Sequence, residues 1–165
     1  MNKLPLLSAE QIQQKLVRMA YEIWEQNSKE KEIFIIGLEQ GGAVLANNLA
    51  RILAEISPLK ISLLLLKVNK KNPQADKTLK IAVDLNKRPV ILVDDVANSG
   101  KTLLYALRPI MEYEPSKIKI VVLVDRKHKS YPVTPDIIGH SVSTTIQDHI
   151  VVNYEGDKLT AAYLE

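Results

Sequence analysis

The sequence predicts an α/β fold: a single domain with a central, mostly parallel sheet flanked by helices and a small C-terminal β-hairpin. Three observations lead there. Four short runs, Ile33–Ile36, Ile61–Leu66, Val90–Val93 and Ile118–Val124, are almost wholly apolar, as strands are when helices cover both faces of a parallel sheet. Segments of helical periodicity lie before the first run, after it, and after the third. The 165 residues, 46% hydrophobic and 25% charged, carry no repeat, low-complexity tract or linker, so residues 1–165 read as one domain with one continuous core.

The elements follow in order. Ser8 and Gln11 have capping-box spacing, and Ile12, Leu16, Met19, Ala20 and Ile23 then recur on one helical face. The strand Ile33–Ile36 ends at Gly37. Gly41 and Gly42 precede a helical pattern over Ala43–Ile56, closed by Ser57-Pro58. After Ile61–Leu66 comes a polar, lysine-bearing loop over Asn69–Thr78. The helix after Val90–Val93 is expected over Thr102–Glu112, with a kink or early end at Pro109, because an interior proline removes a hydrogen bond. Ile137-Ile138 reads as a short strand, and His149–Tyr154 with Lys158–Tyr163 as a hairpin around Glu155-Gly156-Asp157.

Composition narrows the function. A net charge of +3 suits anionic ligands but is far from the dense basic field of a dedicated nucleic-acid binder. The absence of cysteine removes disulfide and thiolate-metal chemistry and, with no export signal at the start, predicts a cytoplasmic protein. No apolar stretch is long enough to span a bilayer. His128, His140 and His149 are too scattered for a metal site and read as surface residues; Lys119, Lys127 and Lys129 read as a solvated basic edge.

In a parallel sheet, ligands bind beyond the carboxyl ends of the strands. Three strand ends carry conspicuous residues: Leu38 to Gly42, Asp94-Asp95, and Asp125-Arg126. The densest cluster is VILVDDVANSGKT, Val90 to Thr102. Ser99-Gly100-Lys101-Thr102 runs into a helix start, where free N–H groups favour a phosphate. It is not a P-loop, because Asp95 stands where that motif needs its first glycine. Two carboxylates beside a phosphate cradle suit sugar hydroxyls, or a magnesium ion held largely by the ligand's own phosphates. A phosphorylated ribose offers both. A plain solvated strand end would leave Ser-Gly-Lys-Thr unexplained.

VILVDDVANSGKT resembles the phosphoribosyl-pyrophosphate (PRPP) motif of type I phosphoribosyltransferases. SAEQIQQKLVRMAYEIWEQN, IIGLEQGGAVLANNLA and IKIVVLVDRKHKSYPVTPDIIGHSVST resemble successive segments of the PyrR family, pyrimidine operon regulators with uracil phosphoribosyltransferase activity. The likeness spans most of the chain except roughly residues 67–88. It implies the type I phosphoribosyltransferase fold and transfer of phosphoribose from PRPP to a nucleobase, uracil above all, yielding UMP and pyrophosphate. Asp94 and Asp95 would then be the catalytic acids, binding ribose hydroxyls directly or through Mg2+ and water. Ala97, Asn98, Ser99, Gly100, Lys101 and Thr102 would wrap the 5′-phosphate. Glu39, Gln40, Gly41 and Gly42 would form the pyrophosphate loop, and Asp125, Arg126 and Ile138 would border the base.

Two departures from the family pattern carry expectations. Glu39-Gln40-Gly41-Gly42 stands where the family typically has Lys-Thr-Arg-Gly, which predicts weak PRPP binding and slow turnover, with Lys67, Lys70 or Lys71 as substitute cations. Asn98 stands where purine-specific members carry an aspartate, which favours a pyrimidine. Alternatives to the enzyme are a nucleotide-sensing, RNA-binding regulator and a weakly active PRPP- or nucleotide-binding homologue. Val17 and Tyr21 flank Arg18 where RNA-binding relatives carry threonine and histidine, which counts against RNA. Tyr21 and Trp24, with an apolar second helix, predict a homodimer or higher homo-oligomer.

Overall fold

The computed structural model describes residues 3–75, 80–145 and 147–165; the end of the polar loop expected over Asn69–Thr78 lies outside them. In chain order the elements are β1 (Leu4–Ser8), α1 (Ala9–Gln26), β2 (Glu32–Leu38), α2 (Gly41–Ile56), β3 (Lys60–Leu66), β4 (Pro89–Ala97), α3 (Lys101–Ile110), β5 (Lys117–Arg126), β6 (Ile137–Val142), β7 (Ile150–Glu155) and β8 (Lys158–Leu164). A short 3-10 turn over Pro73–Ala75 interrupts the loop after β3.

Five strands form one parallel sheet in the order β3-β2-β4-β5-β6. Because side chains alternate across a strand, each apolar run feeds both faces. Ile33, Ile35, Ile91, Val93, Val121 and Leu123 join α1 and α2 in one buried cluster. Phe34, Ile36, Val90, Leu92, Ile120 and Val122 pack with Leu103, Ala106 and Ile110 of α3 in the other. Ile35 is fully buried; truncation to alanine there costs about 2–5 kcal/mol.

α1 begins as its capping box dictates. The Ser8 hydroxyl accepts from the Gln11 N–H at 3.2 Å, and Gln11 Oε1 accepts from the Ser8 N–H at 2.9 Å. α3 ends at Ile110, two residues before the expected Glu112, with Pro109 in its last turn. That is the early end the missing proline N–H imposes.

The expected C-terminal hairpin is present but belongs to a larger unit. β1, unforeseen in the sequence, pairs antiparallel with β8, and β8 with β7, giving a three-stranded sheet in the order β1-β8-β7. β6 is longer than the expected Ile137-Ile138 and forms an edge of the main sheet. The apolar circumference of α2 is largely covered within the chain, by α1, by β2, β3 and β4, and by the small sheet. The exposed large apolar side chains among the described residues are Leu63 and Leu65 on the edge strand β3, Val17 and Tyr21 of α1, and Leu4, Val83 and Met111.

α2 leads from β2 outward to β3, whereas α3 leads from β4 the opposite way to β5. The crevice between the carboxyl ends of β2 and β4 is therefore the topological switch point, where an open α/β sheet receives its ligand.

Candidate functional site

The carboxyl end of β4 builds the centre of the site. The strand continues through both acids to Ala97, which makes Asp94 and Asp95 part of the sheet rather than the loop after it. Asp94 is 1% exposed. Its Oδ1 accepts from the Asp95 N–H at 2.9 Å and from Lys70 Nζ at 3.1 Å. Burial pushes the Asp94 carboxyl up to about 8, the neighbouring charge of Asp95 adds to this, and Lys70 opposes it. Asp95 Oδ1 accepts from the Val96 N–H at 3.0 Å and lies 3.7 Å from Lys70 Nζ. Burial works against the Lys70 ammonium, but the two carboxylates outweigh it and raise its pKa.

The segment expected to wrap the 5′-phosphate follows directly. Gly100 adopts φ +84°, a left-handed conformation that glycine takes at no steric cost, and this turns the chain into α3. The Ser99 hydroxyl accepts from the Lys101 N–H at 3.2 Å, while the Ser99 carbonyl accepts from the N–H groups of Ser130 and Tyr131. Lys101 and Thr102 form the first turn of α3, where unpaired N–H groups and the helix dipole favour an anion.

A cavity of about 420 Å³ joins these parts. Asp94 and Asp95, the segment from Val96 to Gly100, Thr102, Leu103, Lys70 and Lys71 line it, and His149 to Val152 form the facing wall. That wall was invisible in the sequence, where the segment reads as an ordinary strand and His149 as a surface residue. His149 is indeed exposed, yet it stands on the cavity rim.

The expected pyrophosphate loop joins β2 to α2 beside the acids. The Glu39 N–H donates to the Leu66 carbonyl, the Glu39–Gln40 peptide is cis, and Gln40 Oε1 accepts from the Tyr154 hydroxyl at 2.9 Å. A Cβ on Gly41 would lie 2.1 Å from Asp95 Oδ2. Gly41 is thus not simply a lost cation; its bare backbone makes room for the Asp95 carboxylate. Gly42 is buried behind it, against the Val93 carbonyl.

The three residues expected to border the base are engaged elsewhere. Arg126 donates to the carbonyls of Asp148 (3.2 Å) and Thr145 (2.5 Å), so it ties down the segment before β7. Asp125, 5% exposed, faces Lys129 Nζ at 2.7 Å. Ile138 packs on the α3 side of the sheet, and its carbonyl accepts from Arg18. None of the three lines the cavity. Lys129 corrects the solvated-edge reading: it is a buried cation beneath Gly100, held by Asp125 and by the Arg126 carbonyl at 2.9 Å. Sequence alone gave no sign of this, because a lysine after a strand usually points to water.

Comparison with known proteins agrees with this geometry. Residues 6–156 match the family model described as "Phosphoribosyl transferase domain". The chain is 32% identical to the "Bifunctional protein PyrR" of Chloroflexus aurantiacus over 161 residues, covering 92% of this chain and 88% of that protein. It is 33% identical to the protein of the same name from Streptococcus gordonii over 143 residues, covering 83% and 82%. The fold also matches the hypoxanthine phosphoribosyltransferase of Trypanosoma cruzi, with a TM-score of 0.79 at 16% identity over 96% of this chain and 95% of that one. A hypoxanthine-guanine phosphoribosyltransferase of Bacillus anthracis gives 0.74 at 23% identity, covering 92% and 87%. An acid pair closing a parallel strand, a left-handed glycine opening the next helix and a match over nearly the whole chain meet in one assignment: the chain belongs to the phosphoribosyltransferase family and is PyrR-like.

Proposed function

We propose that this protein transfers the phosphoribosyl group of PRPP to a nucleobase, with uracil the preferred acceptor. The observation that carries the reading is the placement of the acid pair and the start of α3 on one cavity, the two contacts a phosphorylated ribose requires. The N–H groups of Gly100 and Thr102 hold the 5′-phosphate, and Asp94 and Asp95 face the ribose hydroxyls. His149 to Val152 form a wall against which a planar base can lie. Reaction at ribose C1 joins a base nitrogen to that carbon as pyrophosphate leaves, through a state resembling an oxocarbenium ion. The chain's contribution is positioning and charge placement.

Magnesium fits the acid pair. Two adjacent carboxylates already draw a cation, the Lys70 ammonium, between them. Asp94 and Asp95 would hold the ion, which would neutralise the departing pyrophosphate. Asn98 in place of an aspartate supports a pyrimidine over a purine. Arg18 supports the enzyme over the RNA-binding alternative, because its guanidinium is committed to Glu22 and to the carbonyls of Ile138 and Gly139. Exposed Leu63 and Leu65 on β3 support a homodimer through that edge.

The test is pyrophosphate release from PRPP and magnesium with uracil, hypoxanthine, guanine, xanthine or orotate supplied in turn. Release with uracil alone is expected. Release with a purine would overturn the base assignment, and no release together with no binding of PRPP or UMP would overturn the reading as a whole. RNA affinity that falls steeply with salt would favour the regulator.

A further inference from the structure

Asn98 follows β4 by one residue, and its side chain bridges to β7. Its Nδ2 donates to the Ile150 carbonyl at 3.2 Å, and its Oδ1 accepts from the Ile150 N–H at 3.2 Å. Ile150 is 2% exposed and opens β7, an edge strand of the small sheet. His149 and Glu165 exchange both of their main-chain hydrogen bonds. By the alternation of an antiparallel ladder, Ile150 then directs its N–H and C=O away from β8, toward the open edge. The Asn98 amide stands in for the missing neighbouring strand at that rung. Only a carboxamide can do so, because the rung needs a donor and an acceptor from one planar group. An aspartate there would set a carboxylate oxygen against the Ile150 carbonyl.

We infer that Asn98 is a positioning residue, clamping the wall at Ile150 to the loop that holds the 5′-phosphate and so fixing the spacing between the phosphate and base subsites. The inference rests on the phosphoribosyltransferase reading above. It adds a mechanical role to a residue that lines the cavity. One amide joins two segments 52 residues apart in sequence.

The test uses Asn98→Leu, close in size but with no donor or acceptor, and Asn98→Asp, which keeps acceptors alone. Amide hydrogen exchange at Ile150 is followed by NMR, and the affinities of ribose 5-phosphate and UMP by calorimetry. Both variants are expected to exchange the Ile150 amide at least about tenfold faster than the parent protein. They should also weaken UMP about tenfold relative to ribose 5-phosphate, on the scale of one lost hydrogen-bond pair. Unchanged Ile150 protection, or equal weakening of the two ligands, would overturn the clamp. If the parent protein binds neither ligand, the phosphoribosyltransferase reading falls, and the clamp is then decided by Ile150 exchange alone.

Discussion

Lys70 Nζ lies 3.1 Å from Asp94 Oδ1, so the site carries its own counter-cation at the end of β4. The lysine comes from the loop after β3 and its side chain is 40% exposed, whereas that of Asp94 is 2% exposed. A partly exposed cation thus faces a buried carboxyl whose pKa burial has raised to about 8. Any ligand that brings a divalent cation to the acid pair must displace it.

Replacing Lys70 with methionine removes the cation that opposes the upward shift of the Asp94 carboxyl and that also faces Asp95. The melting temperature at neutral pH should fall by about 2–4 °C, the scale of roughly 1 kcal/mol for a domain of this size after allowing for solvent screening at the exposed end. Millimolar magnesium alone should raise the melting temperature of Lys70→Met more than that of the parent protein. Thermal melts with and without the ion check this, and identical magnesium shifts in the two proteins would reject it.

Asp94 gives stability a pH dependence with a definite sign. Its carboxyl titrates near 3.8 when unperturbed and at about 8 in the fold, so the folded chain holds that proton more tightly. The contribution is fully present below 3.8 and is lost as pH rises through about 8. Asp94→Asn removes the titration. Urea midpoints from pH 5 to 8.5 should fall more steeply for the parent protein than for the variant, and parallel curves would contradict this. The double variant Asp94→Asn with Asp95→Asn should lose UMP and PRPP binding while remaining folded.

The loop from Glu39 to Gly42, proposed to face the pyrophosphate, supplies a prediction that separates PRPP from its product. A monophosphate carries no pyrophosphate and so should be spared the charge of Glu39. Two like charges about 4 Å apart repel by roughly 1–4 kcal/mol across surface dielectrics. Glu39→Lys should therefore strengthen PRPP by at least about tenfold relative to UMP, as measured by calorimetry. The companion change Gly41→Arg, natural from the family pattern, should not help, because the Asp95 carboxylate fills the space its Cβ would need.

The buried pair Asp125–Lys129 should show strong coupling. With side chains 6% and 8% exposed, neither charge has water to fall back on. Lys129→Met leaves a buried carboxylate alone and should cost about 3–5 kcal/mol in urea unfolding. Adding Asp125→Asn should restore much of that loss, and additive losses in the double variant would show that the pair does not act as a unit.

Legibility in the sequence followed physical range. Local signals were strong: the Ser8–Gln11 capping box and the continuous apolar strands located α1, β2, β3, β4 and β5 to within a few residues. The turn into α3 was legible for the same reason, because the Ser-Gly-Lys-Thr run and a helix start are properties of consecutive residues. β1 was not, since Leu4–Ser8 becomes a strand only by pairing with β8 at the far end of the chain. The cavity wall at Ile150 and the burial of Lys129 also depend on partners distant in sequence. Arg126, expected beside the base, does not line the cavity; its guanidinium serves the segment before β7.

The pairing of Leu4 with Leu164 joins the two ends of the chain through the sheet that also supplies Ile150 to Val152. Closing a loop of about 160 residues carries an entropic cost near 4.5 kcal/mol by the logarithmic law, beyond a constant term. Burial offsets it, because Leu7, Ile150, Val152, Leu159 and Ala162 of this sheet join the core shared with α1 and α2. One wall of the cavity is therefore continuous with the sheet that β1 completes. Trimming at residues 4–8, far from the acids in sequence, removes buried Leu7 and the partner of β8, and should lower both the urea midpoint and the affinity for UMP.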